Sequence, residues 1–122
     1  MAKNLEISFL LDFYGDMLTS KQREAVENYY NDDLSLSEIA SNQGITRQGV
    51  RDAIKRSEII MQDMEERLGL VKKFNKMKDG LEVILDHSKN IQKCNSRAIF
   101  SKEIQDSASM IENIANDIIN QI

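Results

Sequence analysis

Apolar residues recur every three or four positions along most of this chain, the spacing of helices that bury one side. Over residues 4–18 (NLEISFLLDFYGDML), Leu5, Phe9, Phe13 and Met17 fall four apart, with Leu10 and Tyr14 alongside. This predicts a first, core-facing helix in which Gly15 is a weak spot or an early stop. Thr19 or Ser20 then caps a second helix carrying Ala25, Val26, Tyr29 and Tyr30, and Asn31-Asp32-Asp33 ends it as a polar turn. A third helix opens at Ser35 or Ser37. Ser35 with Glu38 three residues on matches a capping box, in which each side chain bonds the other's backbone amide.

The stretch LSLSEIASNQGITRQGVRDAIKRS, from Leu34 to Ser57, has the pattern of a helix-turn-helix. Two helices packed at a steep angle through a short turn need a small side chain where they touch, and Ala40 supplies it. Gly44 allows the left-handed backbone that ends the first helix, Ile45 plugs the corner, and the Thr46 hydroxyl caps the next helix. That helix carries Val50 and Ile54 on one side and Arg47, Gln48, Arg51 and Lys55 on the other. Gly49 weakens it, so it must lean on packing.

Beyond Ser57, Ile60, Met61, Met64, Leu68, Val71, Phe74, Met77, Leu81, Ile84 and Leu85 mark a long amphipathic helix, with Gly69 and Gly80 as candidate interruptions. Residues 99–122 repeat the theme. The polar stretch HSKNIQKCNS, from His87 to Ser96, is expected to contain a bend. The last helices form an antiparallel hairpin or a docking surface for a second copy; the arrangement expected combines the two, a hairpin whose leftover apolar face makes a homodimer. The fold class is all-α: a helical head over residues 1–58 and a long amphipathic helical tail over residues 59–122.

Composition sharpens this picture. The 122 residues include no proline, which removes the strongest helix breaker, and one cysteine, which cannot form an internal disulfide. Cys94 lacks a CxxC partner and is expected to be partly buried. No apolar run approaches the roughly 20 residues a membrane span needs, and Glu6 and Asp12 flank the apolar start in a way unlike a signal peptide. These features point to a cytoplasmic protein with no membrane association. His87 is the one histidine, no phosphate-binding glycine loop is present, and the acidic groups are scattered. No enzymatic site, metal or cofactor is indicated, and the methionine and aromatic positions read as core.

Charge narrows the ligand question. The net formal charge is −4, whereas dedicated DNA binders show a basic footprint. Residues 19–58 hold six basic and seven acidic groups, a net of −1. Residues 46–55 alone hold Arg47, Arg51 and Lys55 against Asp52, a net of +2. Arginine and glutamine suit base edges and lysine suits phosphates, so the candidate nucleic-acid-binding residues are Thr46, Arg47, Gln48, Arg51 and Lys55. Asp52 can pair with Arg56 and offset that charge. Lys72, Lys73, Lys76 and Lys78 are expected to be the wet side of a helix.

Leu18-Thr19-Ser20-Lys21-Gln22-Arg23, followed by LSLSEIASNQGITRQGVRDAIKR, resembles region 4 of bacterial sigma factors, in which a Leu-Thr-x-x-Gln/Glu-Arg helix precedes the motif. The longer stretch LLDFYGDMLTSKQREAVENYYNDDLSLSEIA, then GITRQGVRDAIKRSE and a helical tail, resembles the bacterial YlxM family across nearly the whole length. That resemblance implies a small DNA-binding or regulatory protein linked with the signal recognition particle pathway. The partners expected are DNA or signal recognition particle RNA; the acidic body and the surplus apolar tail support the alternative, an adaptor that binds the particle's protein component with the helix-turn-helix only as a scaffold.

Overall fold

The computed structural model describes residues 5–121, and within them every regular element is helical. The order is α1 (Glu6–Tyr14), a 3-10 turn (Gly15–Met17), α2 (Ser20–Tyr30), α3 (Leu36–Gln43), α4 (Arg47–Leu68), α5 (Leu70–Arg97) and α6 (Lys102–Gln121). Contacts divide the chain into two compact units, residues 1–71 and 72–122.

The first unit is a helical head around one core. Ile7, Tyr14, Val26, Ile39, Val50, Ile54 and Met61 lie fully inside it, with Ala25 and Ala40 where helices approach closely. The start signals in the sequence act as expected. Thr19 and Gln22 form a reciprocal capping box on α2, and Ser35 and Glu38 form one on α3. Asn31 accepts from Ser8 in α1, and Asp33 takes a left-handed φ of 54°, so the acidic turn both ends α2 and redirects the chain.

Two features of the head differ from the pattern-based expectation. In α1 the buried side is Ile7, Leu10, Leu11 and Tyr14, whereas Leu5, Phe9 and Met17 face outward. A four-residue repeat drifts by about 40° per step around a helix of 3.6 residues per turn, so Leu5, Phe9, Phe13 and Met17 cannot share one narrow face. The 3,4 alternation of Ile7, Leu10, Leu11 and Tyr14 stays aligned. The second difference is the end of the head. Helix α4 does not stop near Ser57 but continues to Leu68, because Ser57 and Met61 extend the inward stripe of Val50 and Ile54. Buried Ser57 returns its hydroxyl proton to the Ala53 carbonyl at 2.7 Å, so it adds no unpaired polar group.

Gly69 ends α4 with a left-handed φ of 63°, while Gly80 does not interrupt α5. Around Gly69 a small network ties the first and last parts of the head. The Tyr14 hydroxyl donates to Glu65 Oε1 at 2.6 Å, and accepts from the Leu70 amide at 3.2 Å. Glu65 Oε1 also accepts from the Val71 amide at 3.0 Å, so a phenol and a carboxylate satisfy the first free amides of α5. Burial, then the bond to Glu65, pushes the Tyr14 phenol above its ordinary range.

The second unit contains a hairpin of α5 and α6 with a small, polar seam. Its buried residues are Ser88, Asn95, Ala108 and Ala115. The Ser88 hydroxyl donates to the Ala108 carbonyl, Gln105 donates to Gln92 at 2.9 Å, and Gln92 donates to Glu112 at 2.6 Å. Asn95 donates to the Ser101 carbonyl at 2.8 Å and accepts from its amide at 3.1 Å, closing the turn. The bend expected between His87 and Ser96 is therefore absent: helix persists to Arg97, because those polar side chains line the hairpin seam rather than a loop. Cys94 is exposed rather than partly buried, as are Phe9, Met17, Met77, Phe100 and Met110, so not every methionine and aromatic is core. Lys72, Lys73, Lys76 and Lys78 are all exposed on α5, the wet side expected of them.

Candidate nucleic-acid interface

The interface is built from the turn outward. Gly44 adopts φ 68° and ψ 31°, a left-handed cap whose amide donates to the Ala40 carbonyl, and the Ile45 amide donates to the same carbonyl at 3.1 Å. Thr46 is extended, and its Oγ1 accepts from the Gly49 amide at 3.0 Å, which fixes where α4 begins. Ile45 does not plug the corner: it is 46% exposed and lies over the first turn of α4. A Cβ at position 49 would come 3.1 Å from Thr46 Oγ1 and 3.6 Å from Ile45 Cδ1, so glycine there gives the cap and the isoleucine room. The helix weakness that Gly49 introduces is thus tied to the capping geometry.

With Val50 and Ile54 fully buried, Arg47, Gln48, Arg51 and Lys55 all point to solvent. Arg47, Gln48 and Arg51 line one groove of about 420 Å³ together with Leu36, the first residue of α3. Lys55 lies one helical turn beyond Arg51 and outside the groove lining. Thr46 stands at the N-terminal end with its oxygen engaged in the cap. Leu36 carried no sequence signal as a site residue; only the packing of α3 against α4 brings it there.

Among the described residues, Arg47, Arg51 and Lys55 make no ion pair. Arg23 behaves oppositely. Its guanidinium bonds Glu27, at 2.9 Å, and Asp16, and these two carboxylates hold it still more firmly protonated. Arg23 is thus a tie between the 3-10 turn and α2, whereas Arg47, Arg51 and Lys55 have no such partner among the described residues. Asp52 does not pair with Arg56; it accepts from Gln48 Nε2 at 3.0 Å, one turn earlier on the same helix. That contact turns the Asp52 carboxylate toward Gln48, and its charge still offsets part of the local positive charge, leaving the net of +2. The positive end of the α4 dipole, at Thr46, adds to the field of Arg47.

No group of three or more histidine, cysteine, aspartate or glutamate residues is arranged for a metal among the described residues. No described helix is long and apolar enough to cross a membrane.

Comparison with known proteins bears on the same elements. Residues 1–104 match the family model described as "Putative helix-turn-helix protein, YlxM / p13 like". A UPF0122 protein of Acetivibrio thermocellus is 49% identical over 87 residues, covering 70% of this chain and 74% of that protein. A UPF0122 protein of Halalkalibacterium halodurans is 45% identical over 80 residues, covering 66% of this chain and 73% of the relative. The UPF0122 protein of Clostridium kluyveri is 34% identical over 122 residues, the full length of both chains. With its capped turn, its buried α4 stripe and this full-length similarity, the chain belongs to the YlxM/p13-like family of helix-turn-helix proteins.

Proposed function

We propose that this protein is a DNA-binding regulator that grips its ligand with the outer face of α4. Arg47, Gln48 and Arg51 are the candidates for base edges, and Lys55 for a phosphate. Thr46 acts by fixing the start of the helix. The observation that carries this reading is the groove that Arg47, Gln48 and Arg51 share with Leu36, lined by two arginines that make no ion pair among the described residues. Guanidinium and carboxamide groups present paired donors and acceptors that match base edges in the major groove, and a lysine matches a phosphate. With only three such cations on an acidic chain, binding is salt-sensitive and involves few phosphates.

The test is fluorescence anisotropy over a salt series, with duplex DNA and, separately, signal recognition particle RNA. Arg47→Ala combined with Arg51→Ala should weaken binding and relax base preference, and Lys55→Ala should weaken binding across sequences and lower the salt slope by about 1, each with an unchanged melting temperature. Unchanged binding to both probes would sink the proposal. The family resemblance supplies the link to the signal recognition particle pathway, in the cytoplasm, and a homodimer fits the amphipathic tail. The acidic balance of the head favours a second reading, an adaptor for the particle's protein component. Recovery of that component after nuclease treatment, by wild type and by the arginine variant alike, would favour the adaptor.

A further inference from the structure

The hairpin buries its small residues and exposes its large ones. Ser88, Asn95, Ala108 and Ala115 form the seam, while Met77, Ile84, Ile91, Ile104, Ile111 and Ile118 are 37% to 56% exposed. These six fall in two rows with a spacing of seven, one on each helix, as in a coiled-coil seam. The bonds of Ser88 to Ala108 and of Asn95 to Ser101 set the register between the helices. Continuing that register sets Ile91 beside Ile104, Ile84 beside Ile111 and Met77 beside Ile118. Ile91, Ile104 and Ile111 line one groove of about 340 Å³ with Glu103 and Ser107, and the spacing of seven along each helix keeps the other rung residues close to that side.

We propose that this face is covered by a second copy of the chain, two hairpins packing face to face as a four-helix bundle. The proposal deepens the homodimer part of the reading above and does not depend on nucleic-acid binding. Three observations favour a second copy over another occupant. First, the Ile84–Ile111 rung lies at the middle of the ladder, so a two-fold axis through it sets every rung against an apolar rung of the other copy. Second, the positions between the rungs are Gly80, His87, Ser107 and Ile114, none of them an aspartate, glutamate, lysine or arginine, so the centre of the face carries no like charges to repel an identical face, and Glu103 lies beside the end rung. Third, the six side chains expose on the order of 500 Å² per copy, so a pair covers on the order of 1,000 Å², the level a specific interface must clear.

Gly80 adds an independent clue. Glycine is, after proline, the poorest helix former, yet it sits inside the 28-residue α5. Among the described residues nothing requires it there, since a Cβ at position 80 would meet no atom within 4 Å. A close approach by a helix of the second copy gives this glycine a role.

Sedimentation equilibrium of the full-length chain across a wide concentration range tests the proposal. Wild type should show a mass near twice 14.0 kDa, and Ile84→Glu with Ile111→Glu should return it to one. Gly80→Leu should also shift the equilibrium toward monomer, and the space around it means that its fold is retained by circular dichroism. A wild-type monomer at the highest soluble concentration, an open series of larger masses, or a Gly80→Leu protein as dimeric as wild type would overturn it. Arg47→Ala with Arg51→Ala should remain dimeric, so a failure of nucleic-acid binding is separable from a failure of this interface.

Discussion

The two units use the same amphipathic pattern in opposite ways. In the head, large side chains such as Tyr14, Ile39, Ile54 and Met61 turn inward, and the cations of α4 are left outside. In the hairpin, serine, asparagine and alanine turn inward and the isoleucines are left outside. Close-packed large residues remove much apolar surface from water within one chain, so the core of the head is completed without a partner, although Phe9 and Met17 stay outside it. A seam of small residues lets two helices approach closely but removes little apolar surface, and it leaves a second face to be covered. Helical periodicity marks an apolar face without saying what it meets.

Several measurements would sharpen or break this contrast. The largest effect is expected at the centre of the head. Ile54→Ala should cost about 2–5 kcal/mol in chemical denaturation of the head, because it empties a fully enclosed site on α4. That loss should not depend on protein concentration; a concentration-dependent midpoint for the head would show that it is not closed on itself. Replacement of the tyrosine that joins α1, α4 and α5 comes next. Tyr14→Phe should cost about 1.5–3 kcal/mol, since it removes a bond to a carboxylate and leaves the Leu70 amide unpartnered.

The same phenol gives a pH dependence of defined sign. Its folded pKa is raised above the ordinary phenol value of 10.0, so its stabilising effect is complete below that pH and fades as pH rises through the folded value. Denaturation curves of wild type and Tyr14→Phe should therefore converge on the alkaline side of pH 10.0 and stay apart at neutral pH. Convergence on the acid side instead would assign the effect to Glu65. The smallest effect belongs to the turn. Thr46→Ala should cost about 1 kcal/mol by removing the α4 cap, and Thr46→Ser should restore most of it. If Thr46→Ala weakens DNA binding while melting unchanged, the hydroxyl contacts the ligand rather than only fixing the helix.

Local chemistry made much of the head legible. The capping boxes at Thr19 and Ser35, the left-handed Gly44, the Thr46 cap and the break at Gly69 each depend on a side chain and amides within a few residues. The solvent-facing side of α4 was legible for the same reason: once Val50 and Ile54 point inward, helical geometry leaves Arg47, Gln48, Arg51 and Lys55 outside. The pairing of Asp52 was misread because two partners lie one turn away, Gln48 and Arg56, and spacing does not choose between them.

The remainder depends on contacts between residues far apart in the chain. Whether Phe9 or Ile7 enters the core is set by where α2 and α4 lie against α1, and the four-residue repeat of bulky residues points the wrong way. Leu36 joins the α4 groove through the packing of α3, and Glu65 meets Tyr14 across a separation of 51 residues. The polar run from His87 to Ser96 looks like a loop because its hydrogen-bond partners lie on another helix, beyond the reach of local pattern. Caps and turns follow from the chain's own neighbours. Which apolar face is buried follows only from what packs against it.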